Sequence, residues 1–193
     1  MLNKKEFLSI RNEMKGLEEK REELIQLSRE IISLSKQIIY AAQRNEADSS
    51  EKALKEIKSK ISKLKKYKLN LDTNINSVAF QEYVEAIAFY DFVKYGKVPT
   101  RKSLGVSAED YLCGLSDLTG ELVRKAVYDV IHKKFDEAGK IKELVHDIYG
   151  EFLMLHLRNG ELRKKSDSIK WNLKKLEEVM YDISMKGRHN SEE

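Results

Sequence analysis

Proline and cysteine are nearly absent from this chain, and each shortage narrows what it can be. One proline and nine glycines in 193 residues leave few interruptions to helical pattern, since these are the residues that break helices. The single cysteine, Cys113, excludes an intrachain disulfide framework and fits a reducing cytosol, so a cytoplasmic location is expected. Flanked by Leu112 and Leu115, it reads as a small core residue rather than a nucleophile. No run approaches the roughly 20 apolar residues of a membrane-spanning helix. The start MLNKKEFLSIRNEMK also lacks the apolar stretch of a signal peptide. No membrane partner is expected.

Other absences bear on chemistry. His132, His146, His156 and His189 are scattered and form no HExxH pair, and there is no CxxC finger or glycine-rich phosphate loop. Zinc chemistry and Ser/His or Cys/His catalysis therefore have little support. Charge is plentiful but nearly balanced: 36 Lys and Arg face 32 Asp and Glu, for a net +4 and a pI near 8.9. A mildly basic chain permits nucleic-acid binding without demanding it.

What is present is helical periodicity. From about Lys4 to Arg44, Ile10, Leu17, Leu24, Ile31 and Ile38 recur every seven residues, with Leu27 and Leu34 three residues on. Such a stripe packs along other helices, of the same chain or of another subunit. The remaining faces carry Arg11, Lys15, Lys20, Arg21, Arg29, Lys36 and Arg44, a solvated surface from which a few residues could track phosphates. NEADSS from Asn45 reads as a turn, with Ser49 or Ser50 capping a helix that holds Leu54, Ile57, Ile61 and Leu64. Asn70 to Asn76 reads as a connection, and a strongly apolar helix follows to about Tyr95. Gly96 and Pro99 open the loop KYGKVPTRKSLGVS. Ser107 with Asp110 suggests a capping arrangement. Further helices are expected from about Asp136 to Leu157 and from Glu161 to a C-cap at Gly187, with residues 188–193 a frayed tail. No strand-like alternation competes. The expected class is all-α, a bundle of six or seven helices in a single domain over residues 1–193, with long N- and C-terminal helices.

Two segments carry the chemistry. FQEYVEAIAFYDF from Phe80 places Glu82 and Glu85 at i,i+3, and EDYLCGLSDLTGELVR from Glu109 places Asp117 and Glu121 at i,i+4. Acid pairs at these spacings usually just solvate a helix face. Here the surroundings are apolar, and a buried carboxylate without a partner costs several kcal/mol or more. Four acids on two such helices suit a magnesium-dependent phosphoryl-transfer site, which makes a metal nuclease the leading reading. Gly114, Asp117, Glu121 and Arg124 form one stripe, and the glycine lets another backbone or a substrate come close. Arg124 either contacts phosphate or makes an intrahelical salt bridge to Glu121 worth a few tenths of a kcal/mol.

Four blocks in order resemble the translin–Trax family, the Trax branch more closely. They are REELIQLSREIISLSKQIIY from Arg21, FQEYVEAIAFYDFVK from Phe80, DYLCGLSDLTGELVRKAV from Asp110 and LRNGELRKKSDSIKWNLKKLEEVMYDISMKG from Leu157. DLTGEL is the most Trax-like of these. The chain lacks the long insertion that Trax carries between its acidic helix and the DYL block, which points to a compact, prokaryotic Trax-like protein. The resemblance implies a curved all-α protomer in a homo-octameric shell enclosing RNA, single- or double-stranded, with single-stranded DNA as a further ligand. It implies endoribonuclease activity with Mg²⁺, or Mn²⁺, as cofactor. On the matching positions, Glu82, Glu85 and Asp117 are metal ligands and catalytic residues. Glu121 joins them as a ligand or a base, and Arg29, Lys36 and Arg124 hold RNA. The alternative is a translin-like RNA- or single-stranded-DNA-binding protein without significant catalysis, for which basic faces alone suffice. A third, a coiled-coil adaptor, is disfavoured by the apolar, glycine-containing central helices.

Overall fold

The computed structural model describes residues 2–67 and 74–189. Among them are seven α-helices, one 3-10 turn and no strand. In chain order the helices are α1 (Lys4–Gln43), α2 (Glu51–Leu64), α3 (Ile75–Tyr95), α4 (Arg101–Leu104), α5 (Ala108–Ile131), α6 (Phe135–Leu153) and α7 (Glu161–His189). The NEADSS segment becomes the 3-10 turn Ala47–Ser50. Ser50 takes the N-cap position of α2 but makes no side-chain capping bond to it.

The packing order follows from how apolar each helix is. Helix α3 is apolar on nearly all sides and lies at the centre, with α1 on one flank and α5 on the other. Helix α2 packs on α1, and α6 and α7 pack on α5 and on each other. One hydrophobic cluster runs through the stack, from Ile57 and Ile61 of α2 through Ile31, Phe89 and Leu118 to Val145, Ile169 and Leu176. The apolar stripe of α1 divides in two. Leu24, Ile31, Leu34 and Ile38 are buried against the rest of the chain, whereas Phe7, Ile10 and Met14 are exposed.

Helix ends show where local pattern and tertiary structure part. Gly96 stops α3 in the left-handed region, at φ 67°, its N–H donating to the Phe92 carbonyl at 2.8 Å. The expected loop after it contains α4, capped by Thr100 and closed by left-handed Gly105. Ser107 caps α5 as anticipated, accepting from the Asp110 N–H. Two boundaries differ from expectation. Helix α6 ends at Leu153 rather than near Leu157: Leu153 and Met154 continue the apolar pattern but are exposed, with no core to pack on. Helix α7 continues through Gly187 to His189, so positions 188 and 189 are helical rather than tail, while 190–193 lie outside the described residues. Most of the connection expected over 70–76 also lies outside them, and Asn76 already belongs to α3.

Candidate functional site

The site begins with an atom that is missing. A β-carbon on Gly114 of α5 would lie 2.7 Å from the Gln81 carbonyl oxygen and 2.7 Å from Val84 Cβ, both on α3. No side chain larger than hydrogen fits, so α5 and α3 touch backbone to backbone at this point. The close approach that the sequence suggested for Gly114 is therefore made by α3. One turn further along α5 stands Asp117, and beside Gln81 on α3 stand Glu82 and Glu85. Gly120, by contrast, faces only Asn172 at an ordinary distance.

The stripe Gly114–Asp117–Glu121–Arg124 crosses from the core to solvent. Asp117 accepts a hydrogen bond from Lys165 Nζ on α7. The same ammonium donates to Gln81 Oε1 at 3.0 Å. The Gln81 amide in turn donates to Ser77 Oγ at 3.0 Å, and Ser77 donates to Asp110 at 2.6 Å, tying the site to the α5 cap. Glu121 is held from α1: Gln43 Nε2 donates both to its carboxylate, at 2.9 Å, and to its backbone carbonyl, at 2.8 Å. Arg124 bridges to Glu121 at 3.2 Å and is otherwise exposed, so its intrahelical pairing is realised. Asn172 of α7 donates to Thr119 at 2.8 Å, and buried Ile169 lies between it and Lys165, which fixes α7 on α5.

Glu82 and Glu85 have no hydrogen bond or ion pair among the described residues. Glu85 is only 9 % exposed. Burial, followed by the neighbouring charges of Asp117, Glu82 and Glu121, pushes its carboxyl up to about 8, with Lys165 opposing. Glu82 is also raised, chiefly by burial; Lys36 of α1 is near enough to offset part of this. Asp117 is raised because its burial outweighs the Lys165 hydrogen bond. For Lys165 burial opposes the charge, but the bond to Asp117 and the surrounding acids outweigh it and raise the ammonium above its ordinary value. Cys113 is buried nearby and its thiol is pushed up to about 11, mainly by burial, so it is not a thiolate nucleophile.

The structure thus brings Glu82, Glu85, Asp117 and Glu121 into one electrostatic neighbourhood, with Lys36 within electrostatic range of Glu82. Arg29 is exposed one heptad before Lys36 on the same face of α1, about 10 Å along the axis. Sequence reasoning missed Lys165, Gln43 and Gln81. Gln43 carried a signal, being a heptad from Lys36 and next to the buried Ala42; Lys165 looked like any other lysine in a charged run. Beside Glu121, Tyr40, Gln43, Arg44, Arg124 and Tyr128 line a cavity of about 570 Å³, adding two guanidiniums to the rim.

Carboxylates are hard oxygen donors suited to Mg²⁺ or Mn²⁺, and buried, unpartnered Glu85 is the kind of acid that a cation would satisfy. By donor chemistry and charge, the residues fit such an ion. As the side chains stand, no three His, Cys, Asp or Glu groups among the described residues are arranged to hold one. Lys165 holds one oxygen of the Asp117 carboxylate, and Gln43 and Arg124 draw Glu121 towards α1 and solvent.

An all-α stack whose two central helices share an acid cluster, overlooked by basic residues of its first and last long helices, defines the class of protein. Residues 19–187 match the model of the translin family, and the chain belongs to that family. It is 39 % identical to translin of Gallus gallus over 79 residues, 41 % of this chain and 34 % of that one, so the match spans about a third of the relative's length. It is 25 % identical to translin-associated protein X of Rattus norvegicus over 226 residues, covering 94 % of this chain and 78 % of the other. That alignment is longer than the 193 residues here, so the relative carries inserted sequence. Among solved structures, the chain of the AfC3PO–duplex RNA complex superposes with a TM-score of 0.83 at 28 % identity, covering 96 % of this chain and 99 % of that one.

Proposed function

We propose that this chain is a metal-dependent endoribonuclease of the translin–Trax type, acting within a homo-oligomer. The observation that carries the reading is Glu85: a buried carboxyl without a partner, beside three further acids, in the wall between two central helices. A structural role gives no reason to keep such a group uncompensated. Glu82, Glu85 and Asp117 are the proposed ligands of Mg²⁺ or Mn²⁺, with Glu121 a further ligand or a base. Bound there, the ion would supply an activated water and positive charge for phosphodiester hydrolysis. The chain's own residues do the rest. Lys36, Arg124 and Arg44 offer positive charge at the rim, Arg29 extends it along α1, and Gln43 fixes the orientation of Glu121.

RNA is the proposed substrate, supported by the likeness to the AfC3PO–duplex RNA complex and by the basic rim. Single-stranded DNA is a proposed competitor, and the cytoplasm the proposed location. Assembly is supported by unpartnered apolar side chains in two places, Phe7, Ile10 and Met14 on α1 and Trp171, Tyr181 and Met185 on α7. We take the homo-octamer as the expected state. Light scattering tests it, and a stable monomer at micromolar concentration would refute it.

The second reading, RNA binding without catalysis, draws on one observation: Lys165 already neutralises Asp117. Incubating the purified protein with labelled RNA in Mg²⁺ or in EDTA separates the two. Cleavage in Mg²⁺ that Asp117→Asn abolishes supports the nuclease; binding without Mg²⁺-dependent cleavage supports the binder.

A further inference from the structure

Among the described residues, Lys165 is the cation that forms a hydrogen-bonded bridge from α7 into the acid cluster. It lies 48 residues from Asp117 in sequence, and its ammonium is shared between that charged acceptor and a neutral one, Gln81. Gln81 cannot readily turn away, because its amide nitrogen is bonded to Ser77. Helix α7 cannot easily shift either, since Ile169 is fully buried and Asn172 is bonded to Thr119. A lysine side chain, however, has a flexible four-carbon stem, and Lys165 is partly exposed, so the ammonium can leave Asp117 without moving the backbone. Lys165 holds one Asp117 oxygen, Oδ2, so a divalent ion drawn to that carboxylate would meet the ammonium at close range. Two cations near one set of carboxylates also repel each other.

We propose that Lys165 is a resident counter-cation which a divalent metal must displace from Asp117, so that this side chain sets the metal affinity of the site. The inference rests on the reading of the four acids as a metal site. Lys165 balances part of the acid charge while no ion is bound, and it then retains Gln81 as an acceptor when Asp117 is taken. This makes it a positioning residue. It holds Asp117 as Gln43 and Arg124 hold Glu121.

The test is Mn²⁺ binding to the full-length, RNA-free protein, followed by calorimetry and by the electron paramagnetic resonance of free Mn²⁺. Lys165→Met should bind Mn²⁺ at least about tenfold more tightly than the parent, since a competing charge has gone. Lys165→Arg, which keeps the charge, should stay close to the parent. Equal or weaker binding by folded Lys165→Met overturns the exchange while leaving the metal site intact. Absence of Mn²⁺ binding in both proteins overturns the metal reading along with it. Because Lys165→Met could fail to fold, a second measurement uses the parent alone. Acylation of Lys165 by an amine-reactive reagent, read by mass spectrometry, should speed up several-fold when Mn²⁺ is added. An unchanged rate in protein saturated with Mn²⁺ overturns the proposal.

Discussion

Helix α5 carries two polar groups of opposite design, two turns apart, one fully buried and one only partly so. Lys125 and Asp129 pair at 2.5 Å with side chains only 5 % and 2 % exposed, one cation to one anion, i,i+4 on the same helix. They line a cavity of about 770 Å³ between α5, the end of α3 and the start of α6. Asp117 instead sits among three other acids, with one bonded lysine supplied from α7 and an exposed arginine at the far end. The more deeply buried of the two is thus the self-contained pair, so depth of burial does not mark the functional site here, and neither does cavity size. The Lys125–Asp129 pair is locally balanced and needs nothing further; the acid cluster gathers four carboxyl groups and leaves Glu85 buried without a partner. Unbalanced burial, rather than burial itself, is the mark of a site.

The largest expected effect tests that distinction directly. Replacing Glu82, Glu85 or Asp117 with Ala should lower Mg²⁺-dependent RNA cleavage by orders of magnitude in a gel assay, because a depleted ligand set loses water activation and charge neutralisation together. Fold and RNA binding should survive. Parental cleavage rates in all three variants would reduce the cluster to a structural feature.

Lys125→Ala or Asp129→Ala should behave in the converse way. Each leaves a buried charge unpaired, with a loss of about 3–5 kcal/mol of stability in urea denaturation. The joint change Lys125→Met with Asp129→Leu should recover most of that loss. A single variant within about 1 kcal/mol of the parent, the cost of an exposed pair, would show the pair to be less buried than it stands.

Gly114→Ala sharpens the comparison from the backbone side. The new methyl would meet a carbonyl oxygen and a Val Cβ at 2.7 Å, neither of which is the movable end of a flexible chain. A destabilisation of about 1–3 kcal/mol is expected from overpacking, with cleavage reduced further because α3 and α5 carry the acids. Gly120→Ala faces ordinary van der Waals space and should be neutral or slightly stabilising.

The acid cluster should also register in pH. Glu85 is held up at about 8 in the fold against 4.5 in an unfolded chain. The native state thus keeps a proton that the unfolded chain sheds. Its stabilising effect is full below about pH 4.5 and is lost as pH rises through about 8. Glu82 and Asp117, raised in the same sense, act in the same direction. In EDTA, melting temperature should fall across that window, and Glu85→Gln should flatten the decline. A parent profile that is already flat would contradict the burial of this group.

The smallest effect belongs to Arg124, exposed and tied only to Glu121. Arg124→Ala should weaken RNA binding modestly and reduce the slope of log affinity against log salt by about one. No change in the slope would remove it from the phosphate track.

Much of this is legible without coordinates. Helix α3 can be placed at the centre because Phe80 to Val93 is apolar on nearly every side, and a helix of that kind has to be surrounded. The acid pairs and Gly114 are legible because helical spacing alone puts them on one stripe. What stays hidden is what lies far off along the chain. Nothing in KKSDSIK distinguishes Lys165 from its neighbours until α7 is laid on α5, and Gln43 meets Glu121 across 78 residues. The ends of α6 and α7 depart from the sequence pattern for a related reason. The apolar pattern runs on past Leu153, but Leu153 and Met154 are exposed and Leu157 reaches the core from outside the helix, and a glycine near a helix end need not stop the helix.

The spacing of Arg29, Lys36 and Gln43 along α1 has a mechanical consequence. Each residue added to an α-helix turns the remainder of that helix by about 100°. Lys36 acts on Glu82 and Gln43 clamps Glu121 from one side of α1 because seven residues return the helix almost to its starting angle. Deleting one residue between them would rotate the two contacts out of phase while leaving composition, charge and helix length nearly unchanged. Length variation in this stretch should be tolerated only in near-whole turns, as an indexing wheel tolerates only whole teeth.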